Sequence, residues 1–200
     1  MESDKKRVQQ ILSGDMNAFR SLIDDFQRLV CHIVFRMVTN ETDREEICQE
    51  VFIKVHQNLK DFQFKSKLST WIGRIAYNTC INYLKKKKLP LYDDFLRNDV
   101  QNGKSNSETP KRISDFATSL RMPDDHVISR ETMRFVYAEI EKLPPDFRAI
   151  LTMFHLDEMK YAEISEVMNL PEGTVKSYLF RARKLLKERL LEKYTLETFE

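Results

Sequence analysis

Glycine is scarce in this chain, four of 200 residues, while Glu, Lys, Arg and Leu are plentiful. That balance fits a mostly helical protein, and no Gly-rich loop of the kind that cradles nucleotide phosphates occurs. Cysteine is nearly missing: Cys31, Cys48 and Cys80 are odd in number and widely spaced, which argues against disulfides and reads as reduced core thiols. Neither a Cys-x-x-Cys nor a His-x-x-x-Cys pair is found, so no metal site is expected. No stretch approaches the roughly 18 apolar residues of a membrane span. The start, Met1-Glu2-Ser3-Asp4-Lys5, lacks the apolar run of a secretory signal. A cytoplasmic protein without membrane insertion is expected.

Catalytic groupings are missing as well. His32, His56, His126 and His155 are scattered, and Cys31 and His32, being adjacent, point to different helix faces, unsuited to act as nucleophile and base. The expectation is no catalytic residue, no cofactor and no enzyme activity. An excess of charge of one sign is also lacking, since 33 Lys and Arg face 31 Asp and Glu for a net +2. Taken whole, that argues against a polyanionic partner. The distribution argues for one. From Phe64 to Lys88 the bases Lys65, Lys67, Arg74 and Lys85 to Lys88 meet no acid, and from Thr174 to Arg189 six basic residues meet only Glu188.

From Phe19 onward Leu22, Ile23, Phe26, Val30, Ile33 and Met37 recur at steps of three and four, the stripe of a long core-facing helix. Thr42-Asp43-Arg44-Glu45 has capping-box spacing and predicts a second helix from about Asp43 to Lys60, with Ile47, Val51, Val55 and Leu59 on one face. A third runs from about Ser69 to Lys88, turning Ile72, Ile75, Ala76, Ile81 and Leu84 inward. After Pro90 the periodicity fails, and Asn98 to Pro110, rich in Asn, Ser, Gly, Thr and charge, reads as linker. A helical region opens near Pro123 and runs to Leu143. Three more helices follow, at about Pro145 to Leu156, Tyr161 to Met168 and Glu172 to Tyr194. The fold class is all-α. Two small helical domains, at 1–89 and 124–195, are joined by a flexible linker at 90–123, with a tail at 196–200.

A short helix, a brief turn and a longer basic helix is the form of a helix-turn-helix, whose second helix enters the major groove. Ile164 and Val167 are placed to pack on Val175 and Leu179, and Asn169 stands where a left-handed backbone is wanted. Val175, Leu179, Ala182, Leu186 and Leu190 make the buried stripe of the last helix. Its other face carries Thr174, Lys176, Ser177, Phe180, Arg181 and Lys184 as candidate DNA contacts. Arg and Lys address guanine, Ser a base or phosphate, and Phe180 a thymine methyl. Arg183, Lys187 and Arg189 are phosphate contacts or plain solvent-facing charges.

The amino-terminal half combines aromatics, amide side chains and unopposed Lys, the ingredients for holding unpaired DNA. Here Asp43-Arg44-Glu45-Glu46-Ile47-Cys48-Gln49-Glu50-Val51-Phe52, followed by Ser69-Thr70-Trp71-Ile72-Gly73-Arg74-Ile75-Ala76-Tyr77-Asn78, resembles region 2 of the extracytoplasmic-function (ECF) sigma factors of bacteria. Leu143-Pro144-Pro145, Tyr161-Ala162-Glu163-Ile164 and Pro171-Glu172-Gly173-Thr174-Val175-Lys176-Ser177, closing on Arg181-Ala182-Arg183, resemble region 4 of the same family. The pieces come in the family's order and cover nearly all the chain outside the linker and tails.

The resemblance implies a subunit that binds core RNA polymerase, recognises −10 and −35 promoter elements and helps open the duplex. Gln49 and Glu50 match the region 2 helix that docks on the clamp helices of the largest polymerase subunit, with Asp43 and Glu46 beside them. Arg74 and Asn78 match positions that read the −10 element, and Tyr77 is placed to stack on a base. The loop Phe64, Lys65, Ser66 and Lys67 matches the segment that captures a flipped-out base. Trp71 reads as core. Lys85 and Lys86, with Lys87 and Lys88, engage phosphates or form the solvated end of a helix. In region 4, Tyr178 stands where many relatives carry a base, and Ser165 and Asn169 replace the usual small turn residues. The 64–67 loop lacks the common Gly and acid. The family further implies an anti-sigma factor as partner. The nearest rival is an ordinary transcriptional regulator, with Tyr161 to Arg189 binding DNA and the first module sensing a ligand or partner. Such a regulator has no need of an acidic docking helix followed by an acid-free strand-holding helix.

Overall fold

The computed structural model describes residues 2–87 and 130–197, and the expected linker lies outside them, as do Lys88 and the final residues of the tail. All regular structure among the described residues is helical: α1 (Glu2–Leu12), α2 (Met16–Met37), α3 (Glu41–Asn58), a 3-10 turn (Leu59–Asp61), α4 (Leu68–Lys86), α5 (Arg130–Glu141), α6 (Pro145–His155), α7 (Tyr161–Met168) and α8 (Glu172–Glu197).

Local chemistry explains the boundaries. Gly14 takes φ +97° in the turn after α1, and the Asp15 carboxylate then accepts from the amides of Asn17 and Ala18 at 2.9 and 3.1 Å, capping α2. This cap starts α2 one turn before the apolar stripe begins at Phe19. The second helix also starts earlier than its capping-box spacing suggests. Asn40 follows the extended Val38 and its side-chain oxygen accepts from the Asp43 amide at 3.1 Å, so Asn40 rather than Thr42 is the cap. Either residue caps well, and the earlier one terminates the extended link. Helix α1 was not legible in the sequence. Its buried side chains are Val8 and Ile11, too few to make a periodic stripe, and Arg7 ties it to α2 through Asp25 at 2.6 Å.

In the amino-terminal module the expected stripes are buried: Leu22, Val30, Ile33 and Met37 on α2, Ile47, Val51 and Val55 on α3, and Leu59 beyond it. On α4, Ile72, Ala76, Cys80 and Leu84 face the core, while Ile75 and Ile81 are only half-buried. The thiols depart from expectation. Cys80 is buried, but Cys31 and Cys48 are half-exposed. A hydrogen bond between them holds the Cys31 thiol down to about 7 and pushes that of Cys48 up.

The two modules do not stand apart. Helix α6 packs along α2 and α7 packs along α4, so that one continuous set of buried side chains runs through both. Thr70, Gly73 and Tyr77 form a second buried stripe on α4 beside its core face. A Cβ on Gly73 would stand 3.2 Å from Cγ2 of Val167 on α7 and 3.6 Å from Cδ1 of Ile33 on α2. Glycine is what permits this close approach. Arg148, almost fully buried on α6, donates to the Glu141 carbonyl at 2.7 Å and to the Met37 carbonyl at the end of α2 at 3.4 Å. Burial lowers its pKa to about 10, which leaves the cation charged at neutral pH.

Candidate nucleic-acid interface

The helix-turn-helix is built from α7, a tight turn and α8. Asn169 ends α7 in the left-handed region at φ 53°, and its amide donates to the Ser165 carbonyl. The Ser165 hydroxyl reaches across the turn to the Leu170 carbonyl at 2.5 Å. The Pro171 carbonyl then accepts from the amides of Thr174 and Val175 at 2.8 and 3.0 Å to open α8. The departures from the family turn are therefore structurally accommodated. Asn169→Gly is expected to hold or raise stability and Asn169→Ala to lower it by about 1 kcal/mol, because only Ala sets a Cβ against a left-handed backbone without a local amide to compensate. Urea unfolding of both variants checks this, and equal loss in the two would sink the argument.

Ile164, Val167, Val175, Leu179 and Ala182 are buried as expected, whereas Leu186 and Leu190 are half-buried. Tyr178 is buried too, its ring edge-on to Phe147 at 5.8 Å, so it belongs to the core of this module rather than to a basic face. Lys176, Phe180, Arg181 and Lys184 are exposed, Phe180 to 68%, and Thr174 and Ser177 are half-buried behind them. The Ser177 hydroxyl is engaged with the Thr174 carbonyl at 2.9 Å. Lys176 lies 5.5 Å over the Tyr161 ring, and Lys184 faces Glu188 at 3.8 Å across one turn. Arg183 is held away from this face: its guanidinium sits 5.0 Å over Phe154 and within 3.2 Å of Nε2 of His155. Burial, and then the charge of Arg183, push the His155 pKa below its ordinary value.

On the amino-terminal module, Arg74 and Asn78 lie one turn apart on the exposed side of α4, and Lys85 and Lys86 are exposed at its end. Lys87 is not a free cation. It pairs with Asp43 at 2.6 Å, and the Tyr83 hydroxyl donates to the same carboxylate. Lys87 first, and then Tyr83, hold the Asp43 carboxyl below the usual range. Asp43 is thus set apart from the other three acidic-face residues, because Glu46, Gln49 and Glu50 are exposed, Glu50 pairing with Lys54 at 2.6 Å. Ile53, 56% exposed one turn further along α3, extends that face and escaped the sequence reading. Its signal is an apolar residue off the Ile47, Val51 and Val55 stripe.

The loop before α4 is shaped by Phe64, which takes φ 56° and packs against Phe62 with ring centroids 4.6 Å apart and planes tilted by 53°. Phe62 also meets Trp71 at 5.1 Å, and Trp71, expected in the core, is half-buried in an aromatic cluster packed against it. Phe62, Phe64, Ser66 and Lys67 line a cleft of about 260 Å³. Lys65 is exposed, and Lys67 forms an ion pair with Glu163 of α7 at 2.6 Å. Burial pushes the Glu163 carboxyl up, but the bonds from Lys67 and from the Lys160 amide outweigh it and hold the carboxyl below its ordinary value. Tyr77, placed by the sequence to stack on a base, is buried to 7% exposure and offers no face to a ligand in this arrangement.

Residues 22–89 match the profile of Sigma-70 region 2, and residues 136–186 that of Sigma-70, region 4. The chain is 33% identical over 186 residues to the ECF RNA polymerase sigma factor SigW of Bacillus subtilis, covering 93% of this chain and 96% of that one. The chain belongs to the ECF RNA polymerase sigma factors. The ECF RNA polymerase sigma-E factor of Escherichia coli is 34% identical over 189 residues, 94% of each chain. Among solved structures, this sigma factor is similar to CnrH in its complex with the cytosolic domain of CnrY. The TM-score is 0.61 at 20% identity, over 94% of this chain and 96% of the other. It also resembles RpoE in complex with the anti-sigma factor NepR from Bartonella quintana, with TM-score 0.58 and 18% identity over 86% and 96% of the two chains. The region 2 match spans α2 to α4, and the region 4 match runs from within α5 into α8. No described helix of this sigma factor is long and apolar enough to cross a membrane.

Proposed function

We propose that this sigma factor docks on core RNA polymerase through the outer face of α3, reads the −35 element as duplex with α8, and holds the opened −10 strand on α4 and the loop before it. The observation that carries this reading is two basic surfaces of unlike build on one chain. One is a helix-turn-helix exposing Lys176, Phe180, Arg181 and Lys184. The other is an acid-free helix exposing Arg74, Asn78, Lys85 and Lys86 next to an aromatic-walled cleft. The first suits base edges in a major groove, and the second suits stacking and phosphate contacts to a single strand. Glu46, Gln49 and Glu50 present an acidic, apolar-backed helix to a basic helical partner on the clamp of the largest subunit.

In this reading residues 1–89 form the docking and −10 domain, 124–195 the −35 domain, and 90–123 the linker between them. The catalyst is the polymerase, so the chain itself performs no chemistry, and it works in the cytoplasm where polymerase and promoter DNA meet. An anti-sigma factor is the further partner, supported by the two solved relatives having been captured with CnrY and NepR. Transcription in vitro with core polymerase and genomic promoter DNA tests the whole reading. Initiation at specific promoters that depends on the added chain is expected, whereas a chain that ignores core polymerase and binds a duplex operator tightly by itself would be a regulator. Arg181→Ala is expected to cost about 1 to 3 kcal/mol at the preferred −35 sequence and to relax selectivity there. Equal weakening on every sequence would make Arg181 a phosphate contact instead.

A further inference from the structure

We infer that Cys31 and Cys48 form a peroxide-sensitive dithiol, whose reversible oxidation to a disulfide staples α2 to α3, the helix proposed to dock on polymerase. The effect on docking rests on the functional reading above, whereas the thiol chemistry stands without it. The two thiols are hydrogen-bonded to each other across the seam where α2 packs on α3. Cys31 follows the buried Val30 and Cys48 follows the buried Ile47, so each sulfur stands at the edge of a core stripe. Both are half-exposed, which leaves a path for a small oxidant, while the third thiol, Cys80 on α4, is buried. In a reducing compartment a thiol pair of this kind serves as a sensor rather than as a permanent brace.

The pair divides the work of a redox site. Cys31 accepts the hydrogen bond from Cys48, and this bond, opposed by burial and helped by the nearby His32, holds Cys31 down to about 7. Much of it is therefore thiolate, the nucleophilic form, at neutral pH. Cys48 keeps its proton, first because it donates to Cys31, then because it is buried, with Cys80 and Glu45 adding to the effect. Burial pushes the Cys80 thiol up to about 12 and leaves it inert. The Cys31 thiolate attacks one oxygen of hydrogen peroxide, forming an S–O bond as the O–O bond breaks, and the departing hydroxide takes a proton to become water. The resulting sulfenic acid carries no charge, so the interaction that kept Cys48 protonated is lost. The Cys48 sulfur then attacks the Cys31 sulfur, the S–S bond forms, the S–O bond breaks, and the Cys48 proton leaves with the oxygen as a second water. Two thiols lose two electrons and the peroxide gains them. A bond of about 2.05 Å replaces the looser thiol contact. Cys48 is thereby drawn toward α2, which re-aims Gln49 and Glu50, the next two residues of α3.

The full chain, treated with hydrogen peroxide at neutral pH and quenched in acid, tests this by mass spectrometry. A loss of about 2 Da is expected, with the peptides of Cys31 and Cys48 joined and separated again by dithiothreitol. Cys31→Ser should abolish the link, Cys80→Ser should preserve it, and Cys48→Ser should strand Cys31 as a sulfenic acid that dimedone traps. Iodoacetamide at pH 7 should alkylate Cys31 at least tenfold faster than Cys80. A treated chain that keeps both thiols, or that joins Cys48 to Cys80 instead, overturns the site. Capture of core polymerase by the oxidised chain is expected to fall about fivefold and to recover on reduction, and a cross-linked chain that binds as well as the reduced one overturns the link to docking. If the reduced natural chain does not bind core polymerase at all, the functional reading fails instead, and the mass result still decides the thiol chemistry.

Discussion

Alanine at both Gln49 and Glu50 is expected to weaken capture of core polymerase by about 2 kcal/mol or more, roughly 30-fold in affinity. Both side chains are exposed on α3 and the core stripe of that helix, Ile47, Val51 and Val55, points the other way, so neither contributes packing. Within the chain the change removes the Glu50–Lys54 ion pair at 2.6 Å, and an exposed pair one turn apart contributes only about 0.3 to 0.5 kcal/mol. Thermal stability should therefore hold while binding falls. Anisotropy titration with labelled chain and core enzyme measures binding, and a melting curve measures stability. Undiminished co-purification with core polymerase would remove α3 as the docking face. The exposed Ile53 gives a separate handle, since an apolar residue at the rim of a helix-on-helix contact adds burial without charge.

Phe147→Ala is expected to be the most damaging single change to stability, costing about 3 to 5 kcal/mol, against the roughly 5 to 15 kcal/mol that a domain has in all. Phe147 is 1% exposed and its ring meets Tyr178 edge-on at 5.8 Å. It sits on α6, which packs on α2 on one side and on α8 on the other. A cavity there loosens the seat of the recognition helix and the junction between modules together. Phe180→Ala is the matched control. That ring is 68% exposed, so its removal should leave stability within about 0.5 kcal/mol while lowering −35 affinity. Urea unfolding separates the two, and similar midpoints would contradict the placement of both rings.

Periodic patterns explain why so much of the framework was legible. The α2 and α3 stripes and the Ile164, Val167, Val175 and Leu179 seam are repeats of three and four, and repeats of that spacing can face one way only on a helix. Asn169 was legible for a different reason, because few residue types accept its left-handed backbone. Helix α1 escaped because Val8 and Ile11 make no repeat. The start of α3 shifted because two good caps, Asn40 and Thr42, stand two residues apart, and the direction of the incoming chain selects between them. The candidate surfaces divide in the same way. Lys176 and Arg181 were legible as polar positions opposite a stripe, and Arg74 and Asn78 through the resemblance to region 2; all four are exposed. Asp43, Lys67 and Arg183 were not legible as tethered groups, since their partners Lys87, Glu163 and His155 lie from 28 to 96 residues away.

The helical class, the two basic surfaces and the motifs in region 2 and region 4 order that place the chain among the sigma factors all follow from the sequence alone. Each of these depends on local spacing or on residue type. That the two modules share one core, that Tyr77 is covered and that Gly73 is the point of closest approach came only with the three-dimensional arrangement. A stripe in the sequence states that a face will be buried. Which helix buries it depends on how distant surfaces fit, and here α7 fits α4 because one missing Cβ lets Val167 in.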